Sequence, residues 1–197
     1  IVDRRGYTTT LAYDDRGNVL AITNTLGYTH TYTYDSRNNL TSETDPLGHT
    51  TTYEYDARGN LIRRTDALGN VITWAYNAYG QMISTTDARG NTTQYAYDAW
   101  GNQTAITDAL GYATTFTYDS IGRKLSETDP LGRTTAYAYD AANRLTVITN
   151  TMGYTTTYTY DAVGNRISTS DYASRFTFYG YDAKDRLVVI TDTLGYT

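Results

Sequence analysis

A tyrosine stands at every twenty-first position from Tyr13 to Tyr181, with no insertion or deletion, and an aspartate follows it in all units but one. The pairs are Tyr13-Asp14, Tyr34-Asp35, Tyr55-Asp56, Tyr97-Asp98, Tyr118-Asp119, Tyr139-Asp140, Tyr160-Asp161 and Tyr181-Asp182, with Tyr76-Asn77 in the fourth unit. A fixed period of this size marks a repeat architecture, in which each unit is one supersecondary element that contacts only its neighbours. An ordinary globular core is therefore excluded as the organising principle. The expected domain is one array over residues 1–197. Ile1 and Thr197 both fall in mid-repeat, so the expectation is a segment of a longer chain.

One unit runs Asp45-Pro46-Leu47-Gly48, then His49 to Tyr55, then Asp56-Ala57-Arg58-Gly59, then Asn60 to Thr65. Each Asp-x-x-Gly suits a type I turn closed by a residue at positive φ, a common three-residue hairpin loop. Aspartate at the first position accepts from the turn's own amides, and proline, as in Pro46 and Pro130, suits the second. One turn column includes Gly27, Gly48, Gly69, Gly111, Gly132 and Gly153; the other holds Gly17, Gly59, Gly80, Gly101, Gly122 and Gly164. The exceptions in the second column are Asn38, Asn143 and Asp185, which tolerate the left-handed region best after glycine. These residues are the expected structural turn positions. The predicted fold is all-β: nine 21-residue hairpin units in one continuous twisted antiparallel sheet that coils into a spiral or shell.

Composition agrees, with 22 Tyr against 3 Phe and abundant Thr, residues at home on a half-wet strand surface. Tyr34, Tyr55, Tyr76, Tyr97, Tyr118, Tyr139, Tyr160 and Tyr181 form one aromatic ladder. The residue two before each, such as Tyr53, Trp74 or Phe116, forms a second on the same face. The second strand of each unit resists assignment. Leu20, Ile62, Ile83 and Ile167 suggest a buried column in which Thr41, Thr104 and Thr146 argue for a wet one. The two turn edges differ. One carries Leu26, Leu47, Leu68, Leu110, Leu131 and Met152 at its tips, a row that wants cover. The other is mixed, and there Trp100 is a candidate contact residue, with packing over the adjacent tip as the plainer reading. The stretch from Asp171 to Gly180 breaks the pattern through Ser174, Phe176 and Phe178. It reads as drift of a tolerant repeat or as a contact or kink.

Several functional classes find no support. A net charge of −5 disfavours nucleic acid, and no apolar run approaches a membrane span. With no Cys there are no disulfides or thiolate metal sites. The Asp columns supply one reliable carboxylate per turn, which capping explains better than Ca²⁺. Glu43 and Glu127 lie in equivalent columns of distant units and form no acid/base pair. His30 and His49, the two histidines, have no nucleophile motif beside them. No catalytic residue, metal or cofactor is expected, and no enzyme activity.

The unit from Tyr139-Asp140 through Met152-Gly153 to Tyr158-Thr159 resembles the YD repeat, also called the Rhs repeat. Proteins of that family include Rhs polymorphic toxins, the C components of insecticidal Tc toxin complexes, bacterial wall-associated proteins and teneurins. The resemblance implies a spiralling, hollow β-sheet shell that often encloses a toxic C-terminal domain, and export or surface display, most readily from a bacterium. The family's conserved core region after the repeats, with its self-cleaving aspartates, has no counterpart here. The leading expectation is thus a structural segment of a secreted or surface shell. Its partners would be other parts of that shell, neighbouring chains or an enclosed effector domain. The alternative is an adhesin or extracellular filament module that binds surface glycan or protein through the aromatic ladders.

Overall fold

A computed structural model describes residues 1–195 apart from 3 and 5. Every regular element among the described residues is a strand. In order these are β1 (Thr10–Tyr13), β2 (Val19–Thr23), β3 (Thr29–Tyr34), β4 (Leu40–Thr44), β5 (Thr50–Tyr55), β6 (Leu61–Thr65), β7 (Val71–Tyr76), β8 (Met82–Thr86) and β9 (Thr92–Tyr97). Then follow β10 (Gln103–Thr107), β11 (Ala113–Tyr118), β12 (Lys124–Thr128), β13 (Thr134–Tyr139), β14 (Leu145–Thr149), β15 (Thr155–Tyr160), β16 (Arg166–Ser170), β17 (Phe176–Tyr181) and β18 (Leu187–Asp192). The eighteen strands are antiparallel members of one open sheet. The chain divides into two compact units, Ile1–Tyr95 and Ala96–Thr197.

Within each unit a strand pairs with the next along the chain, and one register recurs. Thr52 of β5 pairs with Thr65 of β6, and Thr65 pairs with Val71 of β7. In the second unit Ala136 pairs with Thr149, and Thr149 with Thr155. Odd strands carry six residues, apart from the four of β1, and even strands five, apart from the six of β18. Thr and Tyr hold them extended because their side chains pack on a pleated surface.

A bulge next to the tyrosine recurs in odd-to-even pairings of both units, as between Glu54 and Tyr55, where Tyr55 pairs with Leu61 and Glu54 with Arg63, and again between Ala138 and Tyr139. Ile62 is the extra residue. A bulge places two successive side chains opposite one partner and breaks the alternation. In the second hairpin Thr33 Oγ1 bonds both Thr41 Oγ1 (2.8 Å) and Ser42 Oγ (2.7 Å), so two consecutive residues share a face. This settles the ambiguous strand: the Leu20, Thr41, Ile62, Ile83 column lies on the threonine face, opposite the tyrosines.

No apolar side chain is buried among the described residues; Ser168 and Ser170 are the buried ones. They pair with Phe178 and Phe176, whose rings stack 5.9 Å apart at 14°. Gly180 faces Val189, whose Cγ1 stands 3.3 Å from where a Cβ on Gly180 would sit. The irregular stretch therefore keeps the common register, with the missing side chain making room for valine.

Candidate functional site

Each turn is built around its first residue. In the turn at Asp45, the Gly48 amide donates to the Asp45 carbonyl (3.0 Å) and the Asp45 amide to the His49 carbonyl (3.0 Å). Asp45 Oδ1 accepts from the amides of Leu47 (2.8 Å) and His49 (2.9 Å), and Oδ2 meets His49 Nδ1 at 2.8 Å. The residue after the glycine thus completes the clamp. It is Asn39 on Asp35 (2.9 Å), Asn60 on Asp56 (2.9 Å), Arg133 on Asp129 (2.6 Å) and Arg144 on Asp140 (2.7 Å). Asp35, Asp56 and Asp66 hold their carboxyls below the ordinary aspartate value, first because the asparagine four residues on donates to each, then because backbone amides do. Gly27, Gly48, Gly59, Gly69, Gly101, Gly111, Gly132 and Gly153 close these turns at φ between 78° and 93°.

The Tyr-Asp turns are also tied to one another. Asn38, Asn143 and Asp185 adopt positive φ in the glycine column. Each offers its Oδ1 to the clamp residue of the preceding unit: Asn18 (2.9 Å), Arg123 (2.8 Å) and Asn165 (3.0 Å) respectively. Tip arginines make a second tie, Arg16 to the Asp35 carbonyl (2.9 Å), Arg37 to that of Ala57 and Arg58 to that of Ala78. Sequence reasoning read these Asn and Asp only as conformational substitutes and missed the clamp column. Its visible signal is the recurrence of Asn or Arg directly after the turn glycine.

On the aromatic face the ladder tyrosines Tyr34, Tyr55, Tyr76, Tyr97, Tyr118, Tyr139, Tyr160 and Tyr181 are all half-buried. Five of their hydroxyls reach back to the backbone of the preceding strand. Tyr34 donates to the Val19 carbonyl (3.0 Å), Tyr118 to Gln103 (2.9 Å), Tyr139 to Lys124 (2.9 Å), Tyr160 to Leu145 (2.8 Å) and Tyr181 to Arg166 (3.1 Å). This explains why the column never holds Phe, whereas the neighbouring ladder admits Trp74 and Phe116. Glu43 and Lys124 on this face are each matched by an oxygen partner. Tyr53 donates to Glu43 Oε1 (2.6 Å) and lies against Arg64; burial first, then Glu43, pushes its phenol up. Lys124 Nζ meets Glu127 Oε2 at 2.7 Å.

The tips project into solvent on both edges. Leu26, Leu47, Leu68, Leu110, Leu131 and Met152 are between 73% and 88% exposed. Trp100 is 80% exposed, so its ring does not pack over an adjacent tip, and Tyr79, Ile121 and Val163 on the same edge are exposed as well. The described residues contain no group of three or more His, Cys, Asp or Glu placed to hold a metal. Among the described residues no helix is long and apolar enough to cross a membrane.

This hairpin unit, its Tyr-Asp turn and its unbroken period are those of the RHS repeat family, and the chain belongs to it: the family model matches residues 13–50, 34–71, 55–92, 76–111, 97–134, 118–151 and 139–177. No curated protein matches by sequence. Among solved structures, the chain is similar to a TcdB2-TccC3-Cdc42 crystal structure, with a TM-score of 0.61 and 19% identity over 93% of this chain and 13% of that one. It is similar to the same extent, by each of those measures, to TcdB2-TccC3 without its hypervariable C-terminal region. A third structure, TcdB2-TccC3, aligns at a TM-score of 0.58 and 18% identity over 93% of this chain and 13% of that chain. At such identity the likeness is one of fold, and the chain spans a small part of each relative's length.

Proposed function

We propose that this chain is wall material: a segment of a secreted or surface-displayed RHS-repeat shell that encloses or presents an effector domain. The observation that carries this reading is the bare apolar tips on a sheet with no buried apolar side chain among the described residues. Exposed apolar rows mark surfaces built to be covered. Leu26, Leu47 and Leu68 in the first unit, and Leu110, Leu131 and Met152 in the second, would abut other parts of the shell or a neighbouring chain. The fold shared with TcdB2-TccC3 structures supports the reading, and one of those is described as lacking a hypervariable C-terminal region. The role is structural, with no catalytic residue assigned.

Replacing Leu26, Leu47, Leu68, Leu110 and Leu131 by Ser should weaken self-association of the isolated segment and leave its β content intact. Sedimentation of wild-type and substituted chains measures this. A wild-type segment that stays monomeric at high concentration would refute the wall reading in this form. The adhesin reading draws on the exposed Trp100 and Tyr79 rather than on the ladders, whose rings are half-buried. Under it the leucine change leaves assembly untouched, and glycan or protein binding follows the aromatic tips.

A further inference from the structure

Two places on the aromatic face of the second unit are equivalent, 42 residues apart. In the first, Lys124 Nζ sits 5.6 Å from the Phe116 ring centre and 4.8 Å from that of Tyr137. In the second, the Arg166 guanidinium sits 5.8 Å from Tyr158 and 4.8 Å from Tyr179. The cation occupies the same seat between the same two ring columns. What differs is the anion. Glu127, three residues after Lys124, closes an ion pair at 2.7 Å. The residue three after Arg166 is Thr169. Thr169 holds the register position of Glu127, pairing with Tyr158 and Thr177 as Glu127 pairs with Phe116 and Thr135. Its Oγ1 is buried without a hydrogen-bond partner among the described residues.

Among the described residues the Arg166 guanidinium makes no hydrogen bond or ion pair, and its contacts are the two rings. The change of cation matters as much as the loss of the carboxylate. Lysine is a point charge that one glutamate can satisfy. Arginine is a planar fork that stacks on aromatic faces and still presents paired N–H donors at its edge. Such donors suit a carboxylate bound bidentately. The closed Lys124–Glu127 pair thus has, two units on, an arginine in the same seat and no carboxylate opposite it.

We propose that Arg166, seated between Tyr158 and Tyr179, receives the carboxylate of an acidic side chain from a polypeptide laid across the aromatic face. The occupant is a polypeptide because the same seat two units earlier is filled by a glutamate on an extended strand.

The test is a titration of the whole 197-residue chain, reading the Arg166 Nε–Hε resonance by NMR. The probes are acetyl-Gly-Glu-Gly-amide, its Gln counterpart and acetate at matched ionic strength. The expected result is a saturable shift with the Glu peptide, little with the Gln peptide, and its loss in Thr169→Glu, where an internal carboxylate should occupy the guanidinium. Thr169→Gln should retain the response. A resonance unmoved by the Glu peptide, or moved equally by the Gln peptide, would overturn the proposal. So would a response that survives unchanged in Thr169→Glu. Equal shifts with acetate would show a bare anion site and overturn the assignment to a polypeptide.

Discussion

The ladder hydroxyl is the smallest group on which the array depends. Tyr118→Phe removes the bond to the Gln103 carbonyl and should cost about 1 kcal/mol. Tyr95→Phe, in the ladder that already admits Phe116, should cost less, and denaturant midpoints of the two variants decide the order. Gly59 stands at φ 88°, with Asn39 Oδ1 3.9 Å from where its Cβ would be. Gly59→Asn should be tolerated, because it recreates the Asn18–Asn38 contact one unit along. Gly59→Val should lose about 1–2 kcal/mol to backbone strain. Equal thermal stability of the two would contradict the turn geometry. At this scale much was legible in the sequence, because repetition displays which residues a position accepts. The tyrosine hydroxyl's partner was not, since a carbonyl 15 residues back leaves no mark on residue type.

The turn is the unit at which acid acts. Asp35, Asp56 and Asp66 are held below their usual value chiefly by asparagine donors. A carboxyl depressed in the folded state adds stability above its unfolded value, about 3.9, and that stability is lost as pH falls through the folded value. Melting temperature should stay flat from about pH 7 to 5 and drop below about 4. A transition unchanged to about pH 2 would contradict this. Asn77 supplies the uncharged version, accepting from the amides of Tyr79 (2.9 Å) and Gln81 (3.1 Å), so Asp56→Asn should blunt the acid response at modest cost. Hairpins and turn types could be read from the Asp-x-x-Gly spacing. The faces of the even strands could not, because alternation counts assume one partner per residue and the bulge at Ile62 supplies two residues for one.

For the molecule as a whole, stability should add up from units and their interfaces. Excising residues 61–81, one full period, joins Asn60 to Met82 in the same column and should preserve β content with a small loss of stability. Excising 61–70 removes one strand and one turn, reverses every following strand against the ladders and should give aggregation. Circular dichroism and light scattering separate the two outcomes. The architecture was legible because a period without insertions permits little else. Its use was less so, because what a sheet touches lies outside the chain. Thr52 leads through Thr65 to Val71, 19 residues on, whereas its counterpart in the next unit is Thr73, 21 on. The same step separates Ala136 from Thr155. Equivalent residues therefore slip by two positions, roughly 6.6 Å along the strand, for every two strands, roughly 9.6 Å across. That shear tilts the ladders by about 35° from the hydrogen-bond direction, close to the strand tilt of closed barrels. Each hairpin added by this step therefore seats its ladder tyrosine two positions along the strand from the last, so the tyrosine columns run obliquely across the sheet rather than straight over it.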